Sequence, residues 1–311
     1  MTELSFNRVA VFGAAGPTGT FLATQLARRG GRVRAIGLHR DHLERSLAGL
    51  DVEIVPADAL DRSATTRAAD GCDLVVDCIG LPADRMADHP RTAEHIIAAA
   101  AATGARCLQI SSFWAYLPVT RLPLDETHPR QGGADYVRHR RAAEDLFLAA
   151  GAAVVNLPDF YGPKVHTSTL QQPLADAVAG KAMSWIGNAD TPREYAFVPD
   201  AMRTVADLAG RPEAYGERWI VPGAGSLTGT QAADLTGDAL DREVKLRTAG
   251  PLMLRLVSLF VPSLRQFLPM IPYYVEPISY DGSKLRSLLG EQVVTPYKDG
   301  IRATVAWLRE D

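Results

Sequence analysis

The segment DYVRHRRAAED, residues 135–145, sets a phenol and a permanent cation four residues apart at the start of a helical stretch, with Glu144 one turn further on. Residues i and i+4 share a helix face, so Tyr136 and Arg140 can point into one site. A guanidinium is always charged, so it can favour a tyrosinate, and its donors can reach sugar hydroxyls. It does not readily release a proton to a relay, and its fork is bulkier than an ammonium. The chemistry on offer is proton transfer beside a fixed positive charge.

A nucleotide site is predicted upstream. VAVFGAAGPTGT places Gly13, Gly16 and Gly19, with Ala15, Pro17 and Thr18 between them, directly after a strand-like run and at the opening of a helix. Tight turning, close backbone approach to a pyrophosphate and close helix–strand packing each favour glycine, and the helix N-terminus supplies positive potential. The spacing is Gly-x-x-Gly-x-x-Gly rather than the tighter Gly-x-Gly-x-x-Gly, and a glycine-rich turn without ligand is the bland alternative. After the second strand, RVRAIGLHRDH has Gly37 where an acid would grip the ribose 2′-hydroxyl of NAD, followed by His39 and Arg40. A missing carboxylate with a guanidinium nearby suits a 2′-phosphate, so NADP(H) is favoured and NAD(H) is the alternative. Asp41 would serve the ribose if the strand ran longer, and Arg40 would then be a solvated loop charge.

The elements that must position these residues alternate two hydrophobic periods. RVAVFG, RVRAIG, VEIVPA, DLVVDCIG, RCLQISS and AAVVNLP read as strands buried on both faces, separated by Ala/Leu/Arg-rich segments at helical spacing. One of these segments ends at Gly104, a predicted C-cap. The alternation predicts an α/β fold with a doubly wound parallel Rossmann sheet and a smaller, partly helical C-terminal lobe. Residues 1–160 are expected to form the NAD(P)-binding domain, with segments near 195–222 returning to it, and 161–311 mainly the substrate-binding lobe. Helical pieces are predicted near 170–180, 200–209, 229–238 and 252–268, with RWIVPG as a late strand.

Taken together, these segments resemble the extended, epimerase-like branch of the short-chain dehydrogenase/reductase superfamily. GAAGPTG is similar to its cofactor loop, and ADALD, with Asp58 and Ala59, to the acidic loop beside the adenine. DCIG, with Cys78, Ile79 and Gly80, resembles the fourth-strand segment passing the cofactor ribose. ISSFWAY resembles the segment ending the fifth strand, with Ser111 beside the cofactor, Ser112 as active-site serine, and Phe113 and Trp114 facing substrate. YVRHRRAAED resembles the helix carrying Tyr-x-x-x-Lys, here with Arg140 in place of the lysine. LPDFYGP, with Pro158, Asp159 and Phe160 beside the cofactor and Tyr161 facing substrate, and REYAFVPD, with Arg193 facing substrate, resemble later strand-end and substrate-lobe signatures. KDGIRATVAWLRE resembles the terminal helix.

The resemblance implies that Tyr136 protonates the reduced carbonyl while Ser112 bonds the same oxygen. The family lysine holds the nicotinamide ribose, lowers the tyrosine pKa and serves a proton relay. Arg140 leaves three readings open: a working, slower reductase; a cofactor-binding regulator without turnover; or two ordinary helix-surface residues. His166 is a candidate substrate contact at the start of the small lobe. Arg193 aligns with an arginine that holds nucleotide phosphate in sugar-nucleotide members, or it pairs with Asp200 or Glu194.

The stretch 251–277 is rich in large apolar groups. Leu252, Leu256, Leu259 and Phe260 are expected to form a stripe that packs the lobe, continued by Phe267, Leu268, Met270, Ile271, Tyr273 and Tyr274, and such a region suits a lid over a hydrophobic carbonyl compound. An NADP(H)-linked ketone, alcohol or enone oxidoreductase is therefore expected first, and a sugar-nucleotide epimerase or dehydratase second. The remaining composition narrows the partners to a small molecule. With 311 residues, 47% hydrophobic and 22% charged, and a formal net charge of −3, the chain lacks a nucleic-acid footprint. Its histidines have no metal-ligand spacing, and Cys72, Cys78 and Cys107 form no disulfide framework, so free thiols in a reducing compartment are expected. No run reaches membrane-span length and no leader pattern opens the sequence, so a cytoplasmic protein, with a homodimer left open, is the expectation.

Overall fold

Seven short parallel strands carry the molecule, in the order β10-β6-β5-β4-β1-β2-β3. They are β1 (Arg8–Phe12), β2 (Arg32–Gly37), β3 (Glu53–Pro56), β4 (Leu74–Asp77), β5 (Arg106–Ser112), β6 (Ala153–Leu157) and β10 (Arg218–Ile220). The computed structural model describes residues 6–259 and 268–310. Val9 to Phe12, Leu74 to Asp77 and Ala153 to Leu157 are buried on both faces, which is why each reads as an apolar run, broken only by Asp77 and Asn156. Helices α1 (Pro17–Arg28) and α7 (Val198–Ala209) pack together on one face. Helices α3 (Arg62–Ala69), α4 (His89–Thr103) and α5 (Asp135–Ala149) cover the other. Gly104 ends α4 at φ 67°, the left-handed C-cap expected of it.

β1 lies between β4 and β2, so the chain reverses its direction of winding there. Loops leaving the carboxyl ends of β1 and β4 diverge at such a point and open a crevice. The register pairs Phe12 with Ile36 on one side and with Asp77 on the other, and continues through Asp77 opposite Gln109 and Ser111 opposite Asn156. The glycine loop, the DCIG turn and the end of β5 are thus brought level at one rim.

RWIVPG supplies β10, which pairs parallel with β6 at the sheet edge. Beyond the sheet, β7 (Asp159–Tyr161), β9 (Arg193–Phe197) and β11 (Ser226–Leu227) form a three-stranded sheet, and β8 (Met183–Ile186) pairs with β12 (Leu246–Ala249). Helices α6 (Gln171–Val178), α8 (Gly229–Leu240) and the terminal helix Tyr297–Glu310 enclose a second core around Tyr161, Trp185 and Tyr195. Thr228 caps α8 reciprocally with Gln231, a capping box. The short helices α2 (Arg40–Ser46) and α9 (Pro251–Val257) border the clefts described next.

Candidate functional site

The glycine loop divides its labour. Gly13 sits at φ 75°, where a Cβ would also come within 2.8 Å of the Cys78 carbonyl, so only glycine lets the β1 and β4 loops meet. A Cβ at Gly19 would lie 2.3 Å from the Gly13 oxygen, so this glycine serves helix–strand packing. Gly16 is the N-cap of α1 and Pro17 its first residue, and no side chain caps the helix. The first amides of α1 therefore face the cleft without an internal partner, as an anion site requires.

That cleft has a volume of about 620 Å³ and is lined by Gly13, Ala15 to Thr18, Gly37 to His39, His42, Cys78 to Pro82, Ser111, Ser112, Arg140, Phe160 and Val165 to Thr167, among others. Among the described residues, no carboxylate lines it. Lys164, at φ 63°, reaches from the loop after β7 to the other wall, where Nζ donates to the Ser46 carbonyl at 2.7 Å. Ser46 in turn donates to the Ala15 carbonyl at 3.1 Å.

A second cavity of about 300 Å³ adjoins the cleft and shares Gly80, Leu81, Ser112, Arg140, Phe160 and Thr167 with it. Ser112, Tyr136 and Arg140 all line this cavity, with Phe113, Trp114, Pro158 and Asp159. The Ser112 hydroxyl accepts the Trp114 amide at 3.3 Å, which occupies a lone pair and leaves the proton to be donated. Arg140 is buried, and its Nε has no hydrogen-bond partner. Burial lowers the pKa of Arg140, while Asp77 and Glu144 draw it back up. Asp77 accepts the Ile79 amide at 2.9 Å and the Gln109 amide at 3.3 Å; burial pushes its pKa up to about 6, against the pull of these bonds and of Arg140.

Behind the cavity, Glu144 is fully buried and accepts Ser111 Oγ at 2.5 Å, Asn156 Nδ2 at 2.7 Å and Arg130 at 2.8 Å. Ser111 thus borders the cleft while its hydroxyl is committed to Glu144. This network ties α5 to the ends of β5 and β6 and so fixes the position of the helix that carries Tyr136.

A third cavity of about 490 Å³ continues from the second across a shared wall of Trp114, Asp159, Thr167 and Tyr274. Its other lining includes Pro173, Trp185, Ile186, Ala249 and Leu254. Trp114 Nε1 donates to the Tyr274 hydroxyl at 2.8 Å, and Asp159 accepts the Thr169 amide at 3.0 Å.

Several residues expected to meet ligand are placed elsewhere. Arg40 is exposed and pairs with Glu44 at 3.3 Å, outside the lining of the cleft, because the first turn of α2 carries it outward. Asp58 caps its own turn through the Leu60 amide at 2.9 Å, and the Ala59 carbonyl bonds His95; neither lines the cleft. Tyr161 is fully buried, stacked on Tyr297 at 5.9 Å and tilted against Phe197 at 5.4 Å, so it packs the second core and lines none of the three cavities. Arg193 pairs with neither Asp200 nor Glu194. It donates to the carbonyls of Tyr273 at 3.2 Å and Glu276 at 2.6 Å and lies over the Tyr274 ring, so it positions the cavity wall instead of meeting an anion. His166 borders the cofactor-side cleft, edge-on to Trp307.

The stripe on 251–277 is also corrected. Leu252, Leu256 and Leu259 are exposed, while Leu254, Met270, Ile271 and Tyr274 are the buried members. Phe260 and Phe267 lie outside the described residues. Residues that the sequence reading missed include His42, Thr167, Lys164 and Asp77. Only Asp77, an acid ending an otherwise apolar strand, carried a local signal.

No helix among the described residues is long and apolar enough to cross a membrane. The model of the NAD dependent epimerase/dehydratase family matches residues 9–221, more than half of the chain. A ceramide reductase of Caulobacter vibrioides is 31% identical over 162 residues, which are 50% of this chain and 47% of that protein; the match spans about half of either. An epimerase of Methanothermobacter thermautotrophicus superposes with a TM-score of 0.83 at 17% identity, covering 98% of this chain and 92% of that one. The UDP-glucuronic acid 4-epimerase of Bacillus cereus, in complex with NAD, superposes with a TM-score of 0.78 at 14% identity, covering 97% and 99%. At these identities the structural likeness speaks to the fold: a Rossmann sheet of the epimerase/dehydratase type. With the family match, the glycine loop and the sheet order in agreement, the chain belongs to the NAD-dependent epimerase/dehydratase family.

Proposed function

We propose that this chain is an NADP(H)-dependent oxidoreductase acting on a relatively apolar ketone, alcohol or enone, with Tyr136 as proton donor. One observation carries this reading: the cavity lined by Ser112, Tyr136 and Arg140 joins the cofactor-side cleft to a mostly apolar cavity walled by Trp114, Trp185, Ile186, Leu254 and Tyr274. The residues fit a dinucleotide. The start of α1 offers uncapped amides for a pyrophosphate, and the buried Arg140 Nε lacks a partner. Arg140, Cys78 to Gly80 and Pro158 to Phe160 are the groups that would hold its nicotinamide end.

When bound, the nicotinamide gives or takes the hydride. Everything else falls to the protein. Ser112 donates its free proton to the substrate oxygen and holds it beside Tyr136. The Tyr136 hydroxyl supplies the second atom of the reduction, a proton to the developing alkoxide, and is reprotonated from solvent. Arg140 sets a permanent positive charge next to this exchange and so favours the transient tyrosinate. We assign the lobe from residue 161 onward mainly to substrate.

The name of one relative, a ceramide reductase, makes an amphiphilic lipid the substrate there and supports an apolar substrate here. The sugar-nucleotide alternative loses its anion-holding arginine, since Arg193 is spent on backbone carbonyls. The regulator alternative keeps one argument, the arginine at position 140. Both are separated by one comparison. Tyr136→Phe should leave NADPH affinity nearly unchanged and cut turnover of an apolar ketone by roughly 10²–10⁴-fold. A protein that binds NADPH yet reduces nothing in a panel of ketones, enones and sugar nucleotides is a regulator.

A further inference from the structure

We propose that α9 docks the protein on an anionic lipid bilayer, so that the third cavity receives its substrate directly from the membrane. The inference rests on the apolar-substrate reading above for its purpose, and its first test requires no turnover.

Helix α9 has two apolar faces. Leu254 is turned inward, buried, and lines the third cavity. Leu252, Met253 and Leu256 are turned outward and are 73%, 54% and 58% exposed. Scattered exposed leucines are ordinary, but three large apolar side chains on one short helix form a patch of the kind that marks an interaction surface. The surrounding charge selects the partner. From Val244 to Val275 the sequence holds four cations, Lys245, Arg247, Arg255 and Arg265, and no carboxylate, in a chain whose formal net charge is −3. All three described cations are exposed: Arg255 lies on α9 itself, and Lys245 and Arg247 lie just before and early in β12, the strand that leads into it. An apolar face rimmed by cations is the pattern that lies in the headgroup region of anionic lipid.

The cavity gives the contact its use. Ala249 at the end of β12 and Leu254 of α9 border it, and Trp114 and Tyr274 form the wall shared with the second cavity. With α9 in the headgroup layer, that border meets the surface in which a long apolar carbonyl compound is dissolved. The contact is peripheral, because no described helix is of membrane-spanning length. A second copy of the chain is a poorer occupant. A twofold contact through this face would bring Lys245, Arg247 and Arg255 close to their own counterparts, and like charges in an interface are costly.

The full chain, without cofactor or substrate, should be sedimented with phosphatidylcholine vesicles and with phosphatidylcholine vesicles containing phosphatidylglycerol. The proposal expects binding to the anionic vesicles that weakens with salt. Leu252→Ser with Leu256→Ser should lower partitioning at least about tenfold, and Arg247→Gln with Arg255→Gln should erase the preference for phosphatidylglycerol. An unchanged melting temperature and unchanged NADPH binding would establish that these surface variants fold. Absence of vesicle binding overturns the proposal, as does binding indifferent to the leucines. Dimers that dissociate in the leucine variant, seen by light scattering without vesicle binding, would assign the face to a second copy. Docking on vesicles together with silence toward every apolar ketone would uphold the surface and sink the substrate reading, so the two failures are distinct.

Discussion

At the scale of single residues, the proposed chemistry turns on position 140. A buried guanidinium bordering both the cofactor-side cleft and the reaction cavity can hold ribose hydroxyls and stabilise a tyrosinate, but it cannot pass on a proton. Arg140→Lys is therefore expected to preserve or raise turnover and to reshape the pH–rate profile, since an ammonium can enter a relay; a loss of turnover beyond about tenfold would mean that the fork itself is needed. Asp77 offers a second handle. Its folded pKa is raised from 3.8 to about 6, so between these values the folded state holds a proton that the unfolded state has released. Stability should fall as pH rises through that window and level off above it. The stability of wild type minus that of Asp77→Asn, from denaturant melts between pH 4 and 7, should fall by on the order of 2–3 kcal/mol across it. That Tyr136, Arg140 and Ser112 line one cavity was legible because each sits in a short motif whose spacing reflects one helix turn or one strand end. Arg193 was not, because its partners at Tyr273 and Glu276 lie far along the chain and no local pattern encodes them.

At the scale of elements, the turn from β2 into α2 carries the proposed choice of cofactor. Gly37 presents no carboxylate, as expected, but the first turn of α2 sends Arg40 to Glu44 and leaves His39 and His42 on the cleft. Imidazoles that donate to a 2′-phosphate are the proposed source of any NADP(H) preference. NADPH should then bind more tightly than NADH in titration calorimetry. His39→Ala with His42→Ala should shrink that ratio about tenfold, as a phosphate contact worth about 1.5–3 kcal/mol implies, while Arg40→Ala should shrink it less. Equal affinities in the wild type would return the site to NAD(H). The parallel strands themselves were easily read, since burial on both faces writes a continuous apolar run. Helix α9 was harder. Its apolar residues indicated packing, yet among its described side chains only Leu254 is buried, and a sequence of leucines does not say which of them meet a neighbour.

At the scale of the whole molecule, the sheet rim, the loop after β7 and the short helix α2 enclose the cleft from separate parts of the chain. The alternating pattern of the first half made that sheet predictable. The small lobe, with its sheets of two and three strands, depends on distant pairings such as β12 with β8 and was visible only as scattered helices and a change of texture. The bond from Lys164 to the Ser46 carbonyl belongs to this scale, because it ties the two walls together. A tie made between protein groups alone is expected to act on traffic more than on affinity. With the cleft as the proposed NADP(H) site, the same latch is expected to slow both the entry of NADPH and the exit of NADP⁺. In Lys164→Ala, stopped-flow fluorescence should find association and dissociation both faster by about the same factor, with little change in the equilibrium constant. Where loss of the oxidised cofactor limits the cycle, steady-state turnover would then rise in a variant that has lost a hydrogen bond.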